Sequence, residues 1–223
     1  MPNKYLKNAK LSEAEFRKIL HLFCLEMDAL KASEYLSLNR NTLNRIYQKI
    51  RLRISEICES ESPFDRGEIE LDESYFGGKK KGKRGRGSLN KIPVFGIYKR
   101  GEKVYTQVVK NCSIAELLPI ITEKVNTDSI VYTDCFRTYD CLVDYGYKQH
   151  YRIKHKEQFA DGRNHINCIE NFWGLCKVRL AKFRGISRNT FYLHLKECEF
   201  RYNYKNINLY RFLLKNIRNK PLF

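Results

Sequence analysis

The sequence predicts an α/β protein: a mixed sheet with flanking helices, preceded by a small all-α segment. Three observations carry this expectation. Apolar residues recur at helical spacing between residues 12 and 57, and a stretch rich in Ser, Pro and acids near 58–66 then breaks the pattern. Beyond it, strand-like runs joined by glycine-bearing turns give way to a helix, a further strand and more helices.

In the first helix Ser12 stands as a cap with Glu15 three residues on, the spacing of a capping box, and Phe16, Ile19, Leu20 and Phe23 follow on one face. A second apolar series, Leu30, Tyr35, Leu36 and Leu38, leads into the polar turn and cap "NRNTL". The third helix carries Leu43, Ile46, Tyr47, Ile50 and Ile54 on one face and Asn44, Arg45, Gln48, Lys49 and Arg51 on the other. Two short helices, a turn and a polar-faced third helix form a helix-turn-helix pattern, in which the last helix reads base edges in a major groove. The alternative is a three-helix bundle with a solvated polar face. The expected division is a helical DNA-binding domain over 1–57, a linker over 58–66, and a second domain over 67–223 that includes the C-terminal helices.

Four strand-like runs follow: Glu68 to Phe76, Pro93 to Tyr98, Lys103 to Val109 and Ser129 to Thr133. "SIAELLPIITEKV" between the third and fourth predicts a helix that contains Pro119. A short helix over Thr138 to Tyr145 and a polar strand in "KQHYRIKH" come next. A long helix then runs from about Ile166 to Phe183, with Ile169, Trp173, Cys176 and Leu180 on one side. The amphipathic C-terminal stretch, where tyrosines alternate with basic residues, either packs on the sheet or forms a dimer or DNA surface.

The balance of 42 Lys+Arg against 25 Asp+Glu gives a net charge of +17, a positive field that draws polyanions. No apolar run of about 18 residues exists and "MPNKYLKNAK" lacks a signal-peptide core, so the expected partner is nucleic acid rather than membrane, inside a cell. The eight cysteines are spread evenly with no C-x-x-C pair, which favours reduced thiols acting as small apolar filling.

Three acids stand out against this basic background. Asp72 lies on the first strand, where Ile69 and Leu71 point to one face and Glu70 and Asp72 to the other. Asp134 ends the fourth strand, and Glu170 sits near the start of the long helix beside its apolar seam. Each alone is explained as a surface acid, a cap or a first-turn residue favoured by the helix dipole. Converging, they cannot all stay ionised without a cation, and hard divalent ions such as Mg²⁺ suit carboxylate oxygens. Two such ions activate an attacking oxygen and steady a leaving oxygen at a phosphodiester.

The blocks "ELDESYFGGKKKGKRGRG", "VYTDCFRTYD" and "HINCIENFWGLCKVRLAKFRGI", in this order, resemble the catalytic region of DDE transposases of the small bacterial insertion-sequence and Merlin type. The likeness covers about Gly67 to Tyr204. It implies an RNase-H-like fold, catalytic metal ligands at Asp72, Asp134 and Glu170, and two Mg²⁺ or Mn²⁺ ions. Thirty-five residues separate Asp134 from Glu170, similar to the spacing common in that class. Lys177 follows Glu170 by seven residues on nearly the same helix face, where a basic residue in such enzymes contacts transposon-end DNA. Asn171 is the alternative to Glu170, and the carboxylate is preferred as the better metal ligand. The zinc ribbon found in many of the wider group has no counterpart here, which leaves end recognition to the helical segment.

Further basic residues fit the same reading. Lys79, Lys80, Lys81, Lys83, Arg84 and Arg86 form either a solvated loop or a phosphate grip directly after Asp72, and the latter is favoured by position. Arg137 is a candidate phosphate contact. His150, His155 and His165 match no zinc motif, and His165 orients the site, contacts phosphate or plays a structural part. Trp173 either packs in the core, the favoured reading, or stacks on a frayed base. The function expected is cut-and-paste transposition of double-stranded DNA by a dimer or larger assembly, in the cytoplasm or nucleoid of a bacterium or the nucleus of a eukaryote. The alternatives are a transposase-derived repressor or architectural protein and a metal-dependent nuclease.

Overall fold

The computed structural model describes the chain except residues 1, 2, 9, 62, 63, 65, 78–90, 154–164 and 184. It divides into two compact units, Met1–Ser60 with Tyr204–Phe223, and Glu61–Asn203.

The first unit is helical. The α1 helix, Glu13–Cys24, opens on the expected capping box: Ser12 Oγ accepts from the Glu15 N–H, and Glu15 reaches back to the Ser12 N–H. Phe16, Ile19, Leu20 and Phe23 are buried as anticipated. The α2 helix, Ala29–Leu36, starts at the cap Asp28 and stops where Ser37 turns left-handed at φ 53°. Its predicted apolar face is a correction, since Leu30 and Tyr35 are 47% and 74% exposed. The buried residues are Ala32 and Ser33, because a short helix against a long one presents its small side chains to the close contact and leaves the large ones outside.

The α3 helix, Arg40–Ser60, buries Leu43, Ile46, Tyr47, Ile50 and Ile54, leaves Asn44, Arg45 and Gln48 exposed, and half-exposes Lys49 and Arg51. It runs past residue 57, into the segment expected to be linker.

The C-terminal residues also divide differently from the expected boundaries. The α7 helix, Leu209–Asn219, belongs to the first unit rather than to the sheet domain. The reasons are local to that unit. Leu213 and Ile217 are buried, and Leu222 pairs with Leu6. Arg53, itself buried, donates to the Asn216 side chain at 3.3 Å and to the Lys220 carbonyl at 2.5 Å.

The second unit is built on a five-stranded mixed sheet in the order β3-β2-β1-β4-β5. The strands are β1 Glu68–Phe76, β2 Ile92–Lys99, β3 Val104–Val108, β4 Ile130–Asp134 and β5 Gln149–Ile153. β2 runs antiparallel to both β1 and β3, whereas β4 is parallel to β1 and β5 parallel to β4. This is the mixed sheet of an RNase-H-like core, and it puts β1 at the centre.

Helices cover both faces of the sheet. On one face α4, Ile114–Lys124, and the 3-10 helix Arg137–Tyr145 pack with Ile69, Leu71, Phe95, Ile97 and Val131. On the other, α5, Asn167–Ala181, and α6, Arg188–Asn203, pack with Phe76, Val94, Tyr98 and Tyr132. The Glu70 and Asp72 face of β1 is therefore covered by a helix, under which Glu70 is fully buried while Asp72 stays half-buried. α6 is tied to β3 by polar groups as well: fully buried Lys196 pairs with Glu199 at 3.0 Å, and Glu199 accepts from the N–H and hydroxyl of Thr106 at 2.8 and 2.6 Å. No helix among the described residues is long and apolar enough to cross a membrane.

Candidate functional site

Parallel pairing of β1 with β4 ends at Leu71 opposite Thr133. The next residue along each strand is Asp72 and Asp134, and strand alternation turns both to the face opposite Leu71, the face covered by α5. Asp134 also accepts from the Phe136 N–H at 2.8 Å, so it shapes the turn after β4 while ending the strand.

Two hydrogen bonds dock α5 on β1. The first turn of α5 lacks a cap from its own chain segment, and Glu70 supplies one: its Oε2 accepts from the Ile169 N–H at 2.9 Å. One turn further on, Trp173 donates its indole N–H to Asp72 Oδ2 at 3.1 Å. Glu170 lies between these two attachments on the exposed side of the first turn, and Asn171 beside it is exposed as well. Trp173 is 3% exposed and takes its place in the core, with no face free as a platform for a base.

Glu70 is fully buried, and Arg100 neutralises it with an Nε to Oε1 contact of 2.7 Å. Arg100 further pairs with Glu68 at 3.1 Å and donates to the His165 carbonyl just before α5. The His165 ring lies in this same network, its Nδ1 3.6 Å from Glu70 Oε1. On the other face of β1, Tyr139 donates to Glu73 at 2.9 Å.

Burial first, then the adjacent Glu73, then Asp134 and Glu170 push the Asp72 carboxyl up to about 7. Acids from two strands and a helix therefore act on one carboxyl. The donor set is all carboxylate oxygen, which suits a hard divalent cation, and such a cation would offset the like charges that hold the Asp72 proton.

Among the described residues, three potential ligand atoms come within 4.8 Å of one another at Glu70, His165 and Cys168 rather than at the three acids. That group does not fit a metal. The Arg100 guanidinium and the Ile169 N–H already take both oxygens of Glu70, and a second cation would meet the first. It is a buried ion pair that holds the start of α5.

The remaining predicted residues fall in three places. Lys177 is exposed on α5 with its Nζ 5.9 Å from the Phe76 ring centroid. Asn44, Arg45, Gln48 and Lys49 are in the first unit, where Arg45 and Lys49 line a cleft of about 470 Å³ together with Lys7, Lys10, Asn39 and Thr42. Lys79, Lys80, Lys81, Lys83, Arg84 and Arg86 lie outside the described residues, as does His155, and so does the side chain of Arg137.

Glu70, Arg100 and Tyr139 were not anticipated. The run of acids in "ELDES" held a signal for Glu70, but Arg100 is thirty residues from its partner, with no local pattern to pair them.

Residues 66–203 match the family described as ISXO2-like transposase domain. The chain is 52% identical over 115 residues to an uncharacterized transposase-like protein of Haemophilus influenzae, a match covering 52% of this chain and 93% of that protein. It is 25% identical over 173 residues to an uncharacterized protein in transposable element ISH50 of Halobacterium salinarum, covering 70% of this chain and 58% of that one.

Proposed function

Because the chain belongs to the ISXO2-like transposase family, we propose that it is a DNA transposase that binds the terminal inverted repeats of its element and performs metal-dependent strand cleavage and transfer. The observation that carries the chemistry is the placement of Asp72 and Asp134 one step beyond the last β1–β4 pair, on the sheet face covered by α5, whose first turn holds Glu170. Asp72, Asp134 and Glu170 are the ligands of two divalent ions, Mg²⁺ or Mn²⁺. When bound, such ions supply an activated water or 3′-hydroxyl and charge stabilisation at the leaving oxygen. Asp72, anchored at the sheet centre, is the fixed member of the set. Asp134 is held at the strand end by its own turn, and Glu170 is brought up by the docking of α5.

Lys177, on the exposed side of α5, and the basic stretch after β1 contact the phosphates of the transposon end, with Arg137 at the start of the 3-10 helix. His165 serves the site by orienting the start of α5. In the first unit the outward face of α3 reads the repeat. The cleft lined by Lys7, Lys10, Arg45 and Lys49 receives backbone phosphate, whose contacts position a reading helix. Two ends have to be held together for joining, so the working form is a dimer or larger assembly on double-stranded DNA.

The purified chain, given a labelled duplex carrying the element's ends, a target plasmid and Mg²⁺ or Mn²⁺, is expected to nick at the ends and join label covalently to the plasmid. Cleavage without joining would reduce the reading to a nuclease, and binding with neither would reduce it to a DNA-binding protein.

The role given to the cleft has its own measurement. Arg45→Ala with Lys49→Ala is expected to lower the slope of log affinity against log salt for repeat DNA by about two, roughly one for each phosphate contact. An unchanged slope would remove both residues from the interface.

A further inference from the structure

The chain contains one tryptophan, and its indole N–H is spent on Asp72. Three features make this contact specific. Asp72 pairs across the β1–β2 ladder with Gly96, and a Cβ built on Gly96 would lie 2.5 Å from Cζ2 of Trp173 and 2.8 Å from its Cη2. The ring thus occupies a notch that exists only because residue 96 is glycine, directly beside the acid. Phe76 meets the ring edge-on with centroids 6.0 Å apart, and Phe172 lies against it at 5.1 Å, so its tilt is fixed by packing. Glu70 pins the same helix one turn earlier through the Ile169 N–H.

We propose that Trp173 is a positioning residue for the metal-binding carboxylate: its N–H holds Oδ2 of Asp72 in one orientation and leaves Oδ1 to a divalent cation. The proposal rests on the reading of Asp72 as a metal ligand. An aromatic that merely filled the core would be replaced by Phe with little effect on ion binding. A partner that orients a ligand oxygen typically accounts for about 10- to 100-fold in metal affinity. The Gly96 notch belongs to the same device, because a methyl group there drives the ring off the acid.

The test is a Mn²⁺ titration of the full chain, read from the electron paramagnetic resonance of free Mn²⁺, for the wild type, Trp173→Phe, Gly96→Ala and Asp134→Ala. Trp173→Phe and Gly96→Ala are expected to bind about 10-fold more weakly than the wild type while keeping its far-ultraviolet circular dichroism. Wild-type affinity in Trp173→Phe overturns the positioning role even if Asp134→Ala has lost binding, which leaves the metal reading standing. Equal affinity in the wild type and Asp134→Ala overturns the metal reading and this inference with it.

Should Trp173→Phe fail to fold, the wild type decides. With a single tryptophan, ¹⁵N-labelled protein gives one indole resonance, expected to shift as Mg²⁺ draws on the carboxylate that accepts its proton. An indole signal unmoved at saturating Mg²⁺ overturns the proposal.

Discussion

Asp134→Asn is expected to abolish end cleavage and joining, by at least about a thousandfold, which corresponds to roughly 4 kcal/mol of lost transition-state stabilisation. Asn is the informative substitution because Asp134 has two duties. Its Oδ1 accepts the Phe136 N–H at 2.8 Å, and an amide oxygen preserves that turn while removing the charge. Asp134→Ala removes both, so the two variants should be equally inactive while the Ala form alone loses stability. Repeat-DNA binding should survive in both, since the residues assigned to it in the first unit are untouched. Glu170→Gln should behave like Asp134→Asn. Asn171→Ala should retain most activity, which separates the two neighbours on the first turn of α5. Wild-type-like joining by Asp134→Asn would remove Asp134 from the site.

What the sequence revealed and what it withheld follow from the range of the interactions involved. β1 was legible to the residue, Glu68 to Phe76, and the seams of α3 and α5 were legible except for Phe172 and the last turns of α3, because each depends on a periodicity contained in the element itself. α2 was misread because its burial depends on how closely a neighbour approaches, and close approach selects Ala32 and Ser33 over Leu30 and Tyr35. The C-terminal boundary was misplaced for a similar reason. Nothing near Leu209 announces that the residues after it will meet Arg53 and Leu6, through Asn216 and Leu222. At the candidate site, it was the likeness of the blocks around Asp72, Asp134 and Glu170 to a transposase catalytic region that singled out these acids, since their order alone is a common pattern. The supports around them, Arg100 on Glu70 and Gly96 beneath Trp173, are contacts between distant segments with ordinary local surroundings. The alternation that set Glu70 and Asp72 apart from Ile69 and Leu71 was right about the faces. It could not disclose that a helix covers the polar one.

Asp72→Asn is expected to make the metal-free protein more stable at about pH 8 and no more stable at about pH 4. The Asp72 carboxyl is raised from its ordinary 3.8 to about 7, foremost by burial, so the folded chain holds this proton more tightly than the unfolded chain. The stability this provides is fully present below the unfolded value and is lost as pH rises through about 7. Above that, carrying the ionised acid costs roughly 4 kcal/mol, since each pH unit between the unfolded and folded values is worth about 1.4 kcal/mol. Asn keeps an oxygen to accept the Trp173 N–H and has no charge to desolvate. Its melting temperature at about pH 8 should therefore exceed that of the wild type by several degrees. Mg²⁺ should reverse the order by stabilising the wild type and leaving the variant unmoved, because a ligand stabilises only the state that binds it. Equal melting temperatures at both pH values would mean that Asp72 carries no such load. The reversal by Mg²⁺ is the sharper half of the experiment. Relief of a buried charge explains a more stable variant at any buried acid, whereas a cation that restores the wild type and ignores the variant requires that this acid be its ligand.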